Sequence, residues 1–168
     1  QRAVYASEDQ NLEVRFYAED RVPMGETIRT VKSTVNLKAW LSDPDVADGF
    51  EVRVWRGRVG GPMVEEVVHR TGLAGGQWHE LTVSAPIPGL YFAYLEITEP
   101  SQDRMAWTAP IWIERLGSCG DGYCGHYEDC ADCAQDCGEC PNPCGDGVCS
   151  ADEDCDSCAE DCGACHQE

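Results

Sequence analysis

The sequence predicts an all-β sandwich of the immunoglobulin- or fibronectin-like class over residues 1–116, followed by two small, disulfide-rich, loop-dominated repeats. Two observations support this. Apolar and polar residues alternate with a period of two in several short runs, and Gly, Pro and Asp residues separate these runs. All 12 cysteines lie between Cys119 and Cys165. Seven or so short strands with frequent turns favour a sandwich, and a small barrel is the lesser alternative.

The alternation identifies both strands and core. The apolar members of the three clearest runs are Leu12, Val14, Phe16, Val35, Leu37, Ala39, Leu41, Phe50, Val52 and Val54. Further strands are expected over residues 63–69, 77–84, 89–98 and 106–114, with core positions at Leu95 and Ile97. No segment has a convincing helical period.

Three tryptophans have the opposite phase to the core and are predicted to face outward. They are Trp40, Trp55 and Trp112. A single β-bulge would reverse any of these assignments and make that tryptophan a core residue. A second aromatic face on a monomer would be an interaction surface, so we predict an interface at these positions.

The cysteines form two copies of one pattern, C-x4-C-x5-C-x2-C-x3-C-x2-C, which repeat after 25 residues without gaps. Repeat 1 spans residues 119–140 and repeat 2 spans residues 144–165. A hinge at residues 117–118 precedes them, a proline-containing linker at 141–143 joins them, and residues 166–168 form a tail. The cysteines are Cys119, Cys124, Cys130, Cys133, Cys137, Cys140, Cys144, Cys149, Cys155, Cys158, Cys162 and Cys165.

Disulfides are the preferred explanation of these cysteines. The repeats contain no Leu, Ile, Phe, Met or Trp, so they cannot form an apolar core and need cross-links. Zinc sites usually have a longer loop between two C-x2-C pairs, and iron–sulfur sites have another spacer order. Three bridges within each repeat are therefore expected, with a connectivity that the spacing alone leaves open.

Acidic residues recur at the same offsets in both repeats and predict a calcium ion in each. The candidate ligands are Asp121, Glu128, Asp129 and Asp136 in repeat 1, and Asp146, Glu153, Asp154 and Asp161 in repeat 2. Glycine-rich turns and carboxylates suit calcium, although the spacing is not that of an EF-hand. The alternative is that these acids keep the surface soluble or cap turns.

The charge distribution restricts the partners of the chain. Residues 1–116 carry all 12 Lys and Arg residues and 17 of the 31 Asp and Glu residues, whereas the rest carries 14 acids and no Lys or Arg. Such a chain is expected to bind neither nucleic acid nor anionic membranes. No apolar run is long enough to span a bilayer, and any signal peptide is expected to have been removed. Isolated histidines and the lack of catalytic motifs argue against an enzyme.

Two segments resemble known families. Four motifs, A-W-T-A-P-I-W-I (106–113), P-M-G (23–25), D-P-D (43–45) and G-L-Y-F (89–92), resemble the C-terminal β-sandwich of bacterial secreted PHP-type metallohydrolase proteins. This resemblance implies the accessory domain without the catalytic domain. The pattern C-G-D-G-x-C-x3-E-D-C-x2-C-x2-D-C-G-x-C resembles short cysteine-rich repeats of bacterial, myxobacterial-type surface proteins, and implies an extracellular setting.

These features together predict a non-catalytic, secreted or cell-surface structural or adhesive protein. It is expected to be stabilised by calcium and disulfides and to self-associate, as a surface or matrix filament subunit would. The alternative is an accessory domain that docks a secreted metallohydrolase to a surface or glycan. Binding of a surface glycan through the outward tryptophans is a weaker third hypothesis.

Overall fold

The computed structural model describes residues 4–46, 49–61, 63–124, 128–130, 132–138, 145, 147, 149, 155 and 158–163. The chain divides into two compact units, Gln1–Leu116 and Gly117–Glu168. The first is built of β-strands and the second is small and disulfide-bonded. Among the described residues, no helix has the length and apolarity needed to cross a membrane.

The β-strands alternate with short turns throughout the first unit. They are β1 (Tyr5–Ser7), β2 (Glu13–Ala18), β3 (Val22–Pro23), β4 (Thr27–Thr30), β5 (Thr34–Ser42), β6 (Phe50–Arg58), β7 (Glu65–Leu73), β8 (Gln77–Ser84), β9 (Gly89–Glu99), β10 (Arg104–Thr108) and β11 (Ile111–Arg115). The sequence did not predict β1, β3 and β4, because segments of two to four residues are too short to show alternation.

The strands form two sheets. The four-stranded sheet has the order β3-β2-β5-β8. In the seven-stranded sheet, β9 pairs with β6 along one edge and with both β10 and β11 along the other. Strand β7 extends this sheet from β6, β1 pairs with β10, and β4 pairs in parallel with β11.

The predicted strand over residues 106–114 is interrupted near Pro110. Strand β10 pairs Trp107 with Glu96, but β11 pairs Ile111 with Ala93, so the register slips by one residue between them. Proline has no N–H to donate, which favours such an interruption. The Thr108 hydroxyl accepts the N–H of Leu95 at 3.0 Å and satisfies that donor at the break. The slip explains why residues of opposite parity are buried in β10 and β11.

One hydrophobic core includes residues from both sheets. Every core position predicted above is buried, from Leu12 in the loop before β2 to Ile97 in β9. Phe16 and Leu37 of the four-stranded sheet and Phe50 of the other are at most 1% exposed. The period-two alternation therefore identified the inward face correctly.

The second unit has two single helical turns, Ala134–Cys137 and Ala159–Cys162, at equivalent places in the two repeats. In repeat 1, Cys119 is bonded to Cys133 and Cys124 to Cys137. Each turn thus carries cysteines that tie it to the preceding loop. Cross-links take the place that an apolar core has in the first unit.

Candidate functional site

An acidic cluster lies inside repeat 1. Asp121, Glu128 and Asp136 each place a carboxylate oxygen within 4.8 Å of the others, and all three are half-buried. These are three of the four residues that the sequence proposed as calcium ligands in this repeat. The disulfides bring them together, because Cys124–Cys137 joins the segment that contains Asp136 to the loop that contains Asp121.

Asp136 also anchors the Gly-Asp-Gly turn. Its Oδ2 accepts the backbone N–H groups of Gly120 at 2.6 Å and of Asp121 at 3.0 Å, and its Oδ1 accepts that of Gly122 at 3.1 Å. Gly120 and Gly122 have φ values of +94° and +81°, which only glycine adopts readily. The recurring acid fifteen residues after the turn therefore has a structural role, which the turn-capping alternative anticipated.

Repeat 2 shows the same arrangement where it is described. The Asp161 carboxylate accepts the backbone N–H groups of Gly145 and of Gly147, the latter at 2.9 Å. Asp161 thus occupies the place of Asp136. The other predicted ligands of this repeat, Asp146, Glu153 and Asp154, lie outside the described residues.

Asp129, the fourth predicted ligand of repeat 1, bonds to the start of the helical turn. Its Oδ1 accepts the N–H of Asp132 at 2.9 Å, and its backbone carbonyl accepts the N–H of Cys133 at 2.8 Å. It caps the turn that leads into the helical segment, and the acidic cluster described above does not include it. The calcium ion proposed for each repeat stays a prediction.

The described cysteines are all disulfide-bonded, as the sequence predicted. Cys149 pairs with Cys162 in repeat 2 at a separation of 13 residues, the same as that of Cys124 and Cys137. Cys130, Cys155 and Cys158 are bonded as well. The remaining cysteines, Cys140, Cys144 and Cys165, lie outside the described residues. Bonded sulfur carries no thiolate for zinc or iron, and disulfides fit an oxidising compartment, extracellular or periplasmic.

The three predicted interface tryptophans do not form one surface. Each is half-buried and has the outward phase. Trp40 and Trp112 lie between buried neighbours, and Trp55 follows the buried Val54. Trp40, however, belongs to the four-stranded sheet, whereas Trp55 and Trp112 belong to the seven-stranded sheet. One aromatic face cannot carry all three, because alternation gives the face of a strand but not the sheet to which the strand belongs.

The outer face of the four-stranded sheet carries an aromatic surface with charges of both signs. Trp40 and Trp78 are directly opposite each other on β5 and β8, and the Arg15 guanidinium lies 4.7 Å from the centre of the Trp40 ring. Tyr17 meets Trp78 edge to face, with ring centres 5.9 Å apart. Trp78 is 48% exposed. We call this set, together with Asp20, Lys38 and Glu80, the aromatic face.

A shallow pocket opens on the aromatic face. Its volume is about 450 Å³, and Arg15, Tyr17, Asp20, Lys38 and Trp78 line it. The Lys38 ammonium lies 2.6 Å from the Asp20 carboxylate, and this hydrogen bond raises the pKa of Lys38. Trp78 was not among the residues that the sequence predicted to form an interface. Its phase relative to Leu81 and Val83, which are buried, was the signal that could have identified it.

The outer face of the seven-stranded sheet is more closed. The Phe92 ring lies over Gly57, where a Cβ atom would overlap the ring, and it packs on Trp112 with ring centres 5.7 Å apart. Beside them, Trp55 is opposite Tyr94 on the neighbouring strand. Phe92 and Trp112 therefore pack on each other, and the exposed tryptophan of this sheet is Trp107 on β10, which is 37% exposed against 48% for Trp78.

A group of buried carboxylates lies at one end of the first unit. Asp9, Asp43 and Glu99 are 6%, 7% and 2% exposed and hold carboxylate oxygens within 4.8 Å of one another. Arg104 forms an ion pair with Asp9. Burial raises the pKa of Glu99, and the Asp43 carboxylate adds to the rise. The sequence predicted no site at these residues, although Glu99 has the same parity as the core residue Ile97 and is therefore an acid on the inward face of β9.

Comparisons with known proteins identify no family. No family model matches the chain, and no curated protein matches it. Among solved structures, the chain is similar to the PmoD soluble domain from Methylocystis sp. ATCC 49242 (Rockwell), with a TM-score of 0.40 and 10% sequence identity. The match covers 61% of this chain and 90% of that one.

Proposed function

We propose that this chain is a non-catalytic extracellular structural or adhesive protein that self-associates through its first unit and whose acidic repeats are stabilised by calcium. The observation that carries the proposal is the convergence of Asp121, Glu128 and Asp136 in a repeat that disulfides hold together. A secreted module built without an apolar core needs such reinforcement. The first unit is proposed to be an immunoglobulin- or fibronectin-like sandwich, which two mainly antiparallel sheets on one core support.

Calcium would offset the charge of the repeats. The segment after residue 116 carries 14 acids and no Lys or Arg. Copies of such a segment repel one another when they come within a Debye length, about 8 Å at physiological ionic strength. Divalent cations at the acidic clusters reduce this repulsion, so assembly should require calcium at the ~10⁻⁴–10⁻³ M typical of extracellular modules.

The aromatic face is the proposed self-association surface, and its occupant is a second copy of the chain. Arg15 and Lys38 stand beside Asp20 and Glu80, so the face carries both signs of charge around exposed aromatic rings. A face that carries both signs of charge allows opposite charges to meet when two copies pair, and two-fold pairing is the commonest symmetry of homo-oligomers. An exposed Trp78 provides the apolar area that interfaces concentrate at their centre.

The test is light scattering and electron microscopy of the full chain in millimolar calcium and in chelator. Wild type is expected to assemble in calcium and to dissociate in chelator. Trp78→Ala should prevent assembly, because it removes the most exposed ring of the aromatic face. Trp107→Ala is the matched control, since Trp107 is 37% exposed but lies on β10 of the other sheet.

Asp121→Asn/Asp136→Asn tests the calcium part separately. This variant should bind one calcium ion fewer by titration calorimetry and should need more calcium to assemble. A wild type that stays monomeric at high concentration in calcium would contradict the structural-subunit function. Assembly by Trp78→Ala as readily as by wild type would contradict the choice of face.

The second candidate is an accessory domain that docks an enzyme to a surface glycan. The pocket beside Trp78 favours it, because an exposed aromatic ring flanked by polar side chains can stack on a sugar and bind its hydroxyls. Under this alternative the chain is monomeric in calcium, and Trp78→Ala abolishes retention on the glycan in affinity electrophoresis while Trp107→Ala does not.

A further inference from the structure

We propose that Asp9, Asp43 and Glu99 form a calcium site inside the first unit, separate from the acidic clusters of the repeats. The three carboxylates belong to three different loops or strand ends. We call them the buried triad. A calcium ion there would cross-link both sheets at one end of the unit.

The strand pairing brings the buried triad together. Asp43 directly follows β5 of the four-stranded sheet, and Glu99 is the last residue of β9 in the other sheet. Asp9 lies in the loop between β1 and β2. That loop connects the two sheets, because β1 pairs with β10 and β2 with β5. The fold thus brings three acidic side chains from distant parts of the sequence together in one buried place.

Local hydrogen bonds hold two of the carboxylates in place, and Asp43 keeps one buried oxygen that no hydrogen bond from the described part of the chain occupies. Asp9 Oδ1 accepts the N–H of Asn11 at 2.6 Å, and Asp43 Oδ1 accepts the N–H of Asp45 at 2.6 Å. Asn11 in turn donates to Asp45 at 3.0 Å and joins the two loops. The other oxygen of Asp43 is buried and has no hydrogen-bond partner among the described residues.

Glu99 is the decisive residue. It is 2% exposed, and neither of its carboxylate oxygens has a hydrogen-bond partner among the described residues. A buried carboxylate needs a paired charge, a metal or a proton. Arg104 pairs with Asp9, and among the described residues it is the one cation that forms an ion pair with the three acids. A net charge of −2 remains, which one divalent ion neutralises.

The distances and the atom types point to calcium. Ligand oxygens lie about 2.3–2.6 Å from calcium, so two oxygens that share an ion are at most about 5 Å apart. The triad meets this limit, because its oxygens lie within 4.8 Å of one another. The donors are carboxylate oxygens, which are hard ligands and suit calcium better than softer metals. Backbone carbonyls or water would complete its six to eight ligands.

A proton is the competing occupant. A protonated Glu99 could donate a hydrogen bond to Asp43 and remove the repulsion without any metal. The two possibilities predict different responses to calcium at neutral pH. With a calcium site, the first unit gains stability when calcium is added, and with a proton it does not.

The test uses tryptophan fluorescence during thermal unfolding of the full chain, in millimolar calcium and in chelator. All five tryptophans lie in residues 1–116, so this signal reports the first unit and not the repeats. Wild type is expected to unfold at a higher midpoint in calcium. Glu99→Gln keeps the shape and removes a charge, so it should unfold at a higher midpoint than wild type in chelator and show no calcium shift.

Three variants complete the test. Asp43→Asn should also lose the calcium shift. A second variant with the same result excludes an effect that is peculiar to the Glu99→Gln substitution, such as misfolding. Glu13→Gln makes the same charge change at an exposed position and should retain the full shift. Asp121→Asn/Asp136→Asn should retain it too, so a failure of the repeat sites is distinguishable from a failure of this one. An equal midpoint for wild type with and without calcium, or a full calcium shift in Glu99→Gln, would overturn the proposal.

Discussion

Removal of the Cys124–Cys137 bridge by Cys124→Ser/Cys137→Ser should destabilise repeat 1 alone. The bridge joins two cysteines that are 13 positions apart in the sequence and so closes a loop of about that length. The loss of loop-closure entropy in the unfolded chain corresponds to about 3 kcal/mol for a loop of this length. Because Cys119–Cys133 already restricts the same segment, we expect roughly 2–3 kcal/mol. A double substitution is needed, since a single one leaves a thiol that can attack the other bridges.

The expected readout is the rate of proteolysis. A glutamyl endopeptidase can cut after Glu128 in repeat 1 and after Glu160 in repeat 2, and peptides are quantified after reduction. A loss of 2–3 kcal/mol raises the unfolded population of the repeat roughly 30- to 150-fold. The cleavage rate follows that population when reclosing is fast relative to cutting. Cleavage after Glu128 should therefore accelerate by roughly that factor, and cleavage after Glu160 should be unchanged.

The second repeat provides the matched control. Cys149→Ser/Cys162→Ser removes a bridge of identical separation and should accelerate cleavage after Glu160 only. If either variant accelerates cleavage in both repeats equally, the repeats are not independent units. If neither variant changes the rates, the bridge does not stabilise the repeat and the entropy argument is wrong.

Three further outcomes are expected. Leu37→Ala should lower the free energy of unfolding of the first unit by about 2–5 kcal/mol in urea titrations, because Leu37 is fully buried. Gly57→Ala should cost roughly 1–3 kcal/mol in the same assay, since the new methyl group overlaps the Phe92 ring. Partial reduction and mass mapping should show a disulfide between Cys130 and Cys140. Two bridges already use four of the six cysteines of repeat 1, and Cys130 is bonded, so Cys140 is its expected partner within the repeat.

For each of these three predictions, a specific result would contradict the reasoning. Asn36→Ala, at the exposed neighbour of Leu37, should stay within about 0.5 kcal/mol, and an equal loss at both positions would argue against the assigned faces of β5. The cost of Gly57→Ala should shrink in a Phe92→Ala background, and an additive cost would exclude the steric cause. A bridge from Cys130 to a cysteine of repeat 2 would contradict the independence of the repeats.

The sequence predicted the strands that have one buried face and that are long enough for apolar and polar residues to alternate several times. In β5, for example, Val35, Leu37, Ala39 and Leu41 could only be inward together, because side chains alternate across a strand. It could not predict the two-residue β3 or the interruption at Pro110. Such features depend on which neighbouring strand supplies hydrogen bonds, and that is not a local property.

The sequence predicted the part of the candidate site whose acidic residues recur at the same offsets in both repeats. Identical offsets in two copies selected four acids of repeat 1, and the structure brings Asp121, Glu128 and Asp136 within 4.8 Å of one another but not Asp129. The same offsets could not separate a ligand from a turn anchor, and Asp136 accepts three backbone hydrogen bonds. A carboxylate can serve both purposes, and only its contacts reveal which ones it makes.

The sequence by itself determined that two differently stabilised units follow each other. Apolar alternation without cysteine implies a core, and cysteine without apolar residues implies cross-links, since both are properties of composition and spacing. Only the tertiary structure decided that Trp40 lies on a different sheet from Trp55 and that Asp9, Asp43 and Glu99 meet. The physical reason is that strand pairing joins residues as far apart as Tyr5 and Thr108, and spacing along the chain carries no information about which strands pair.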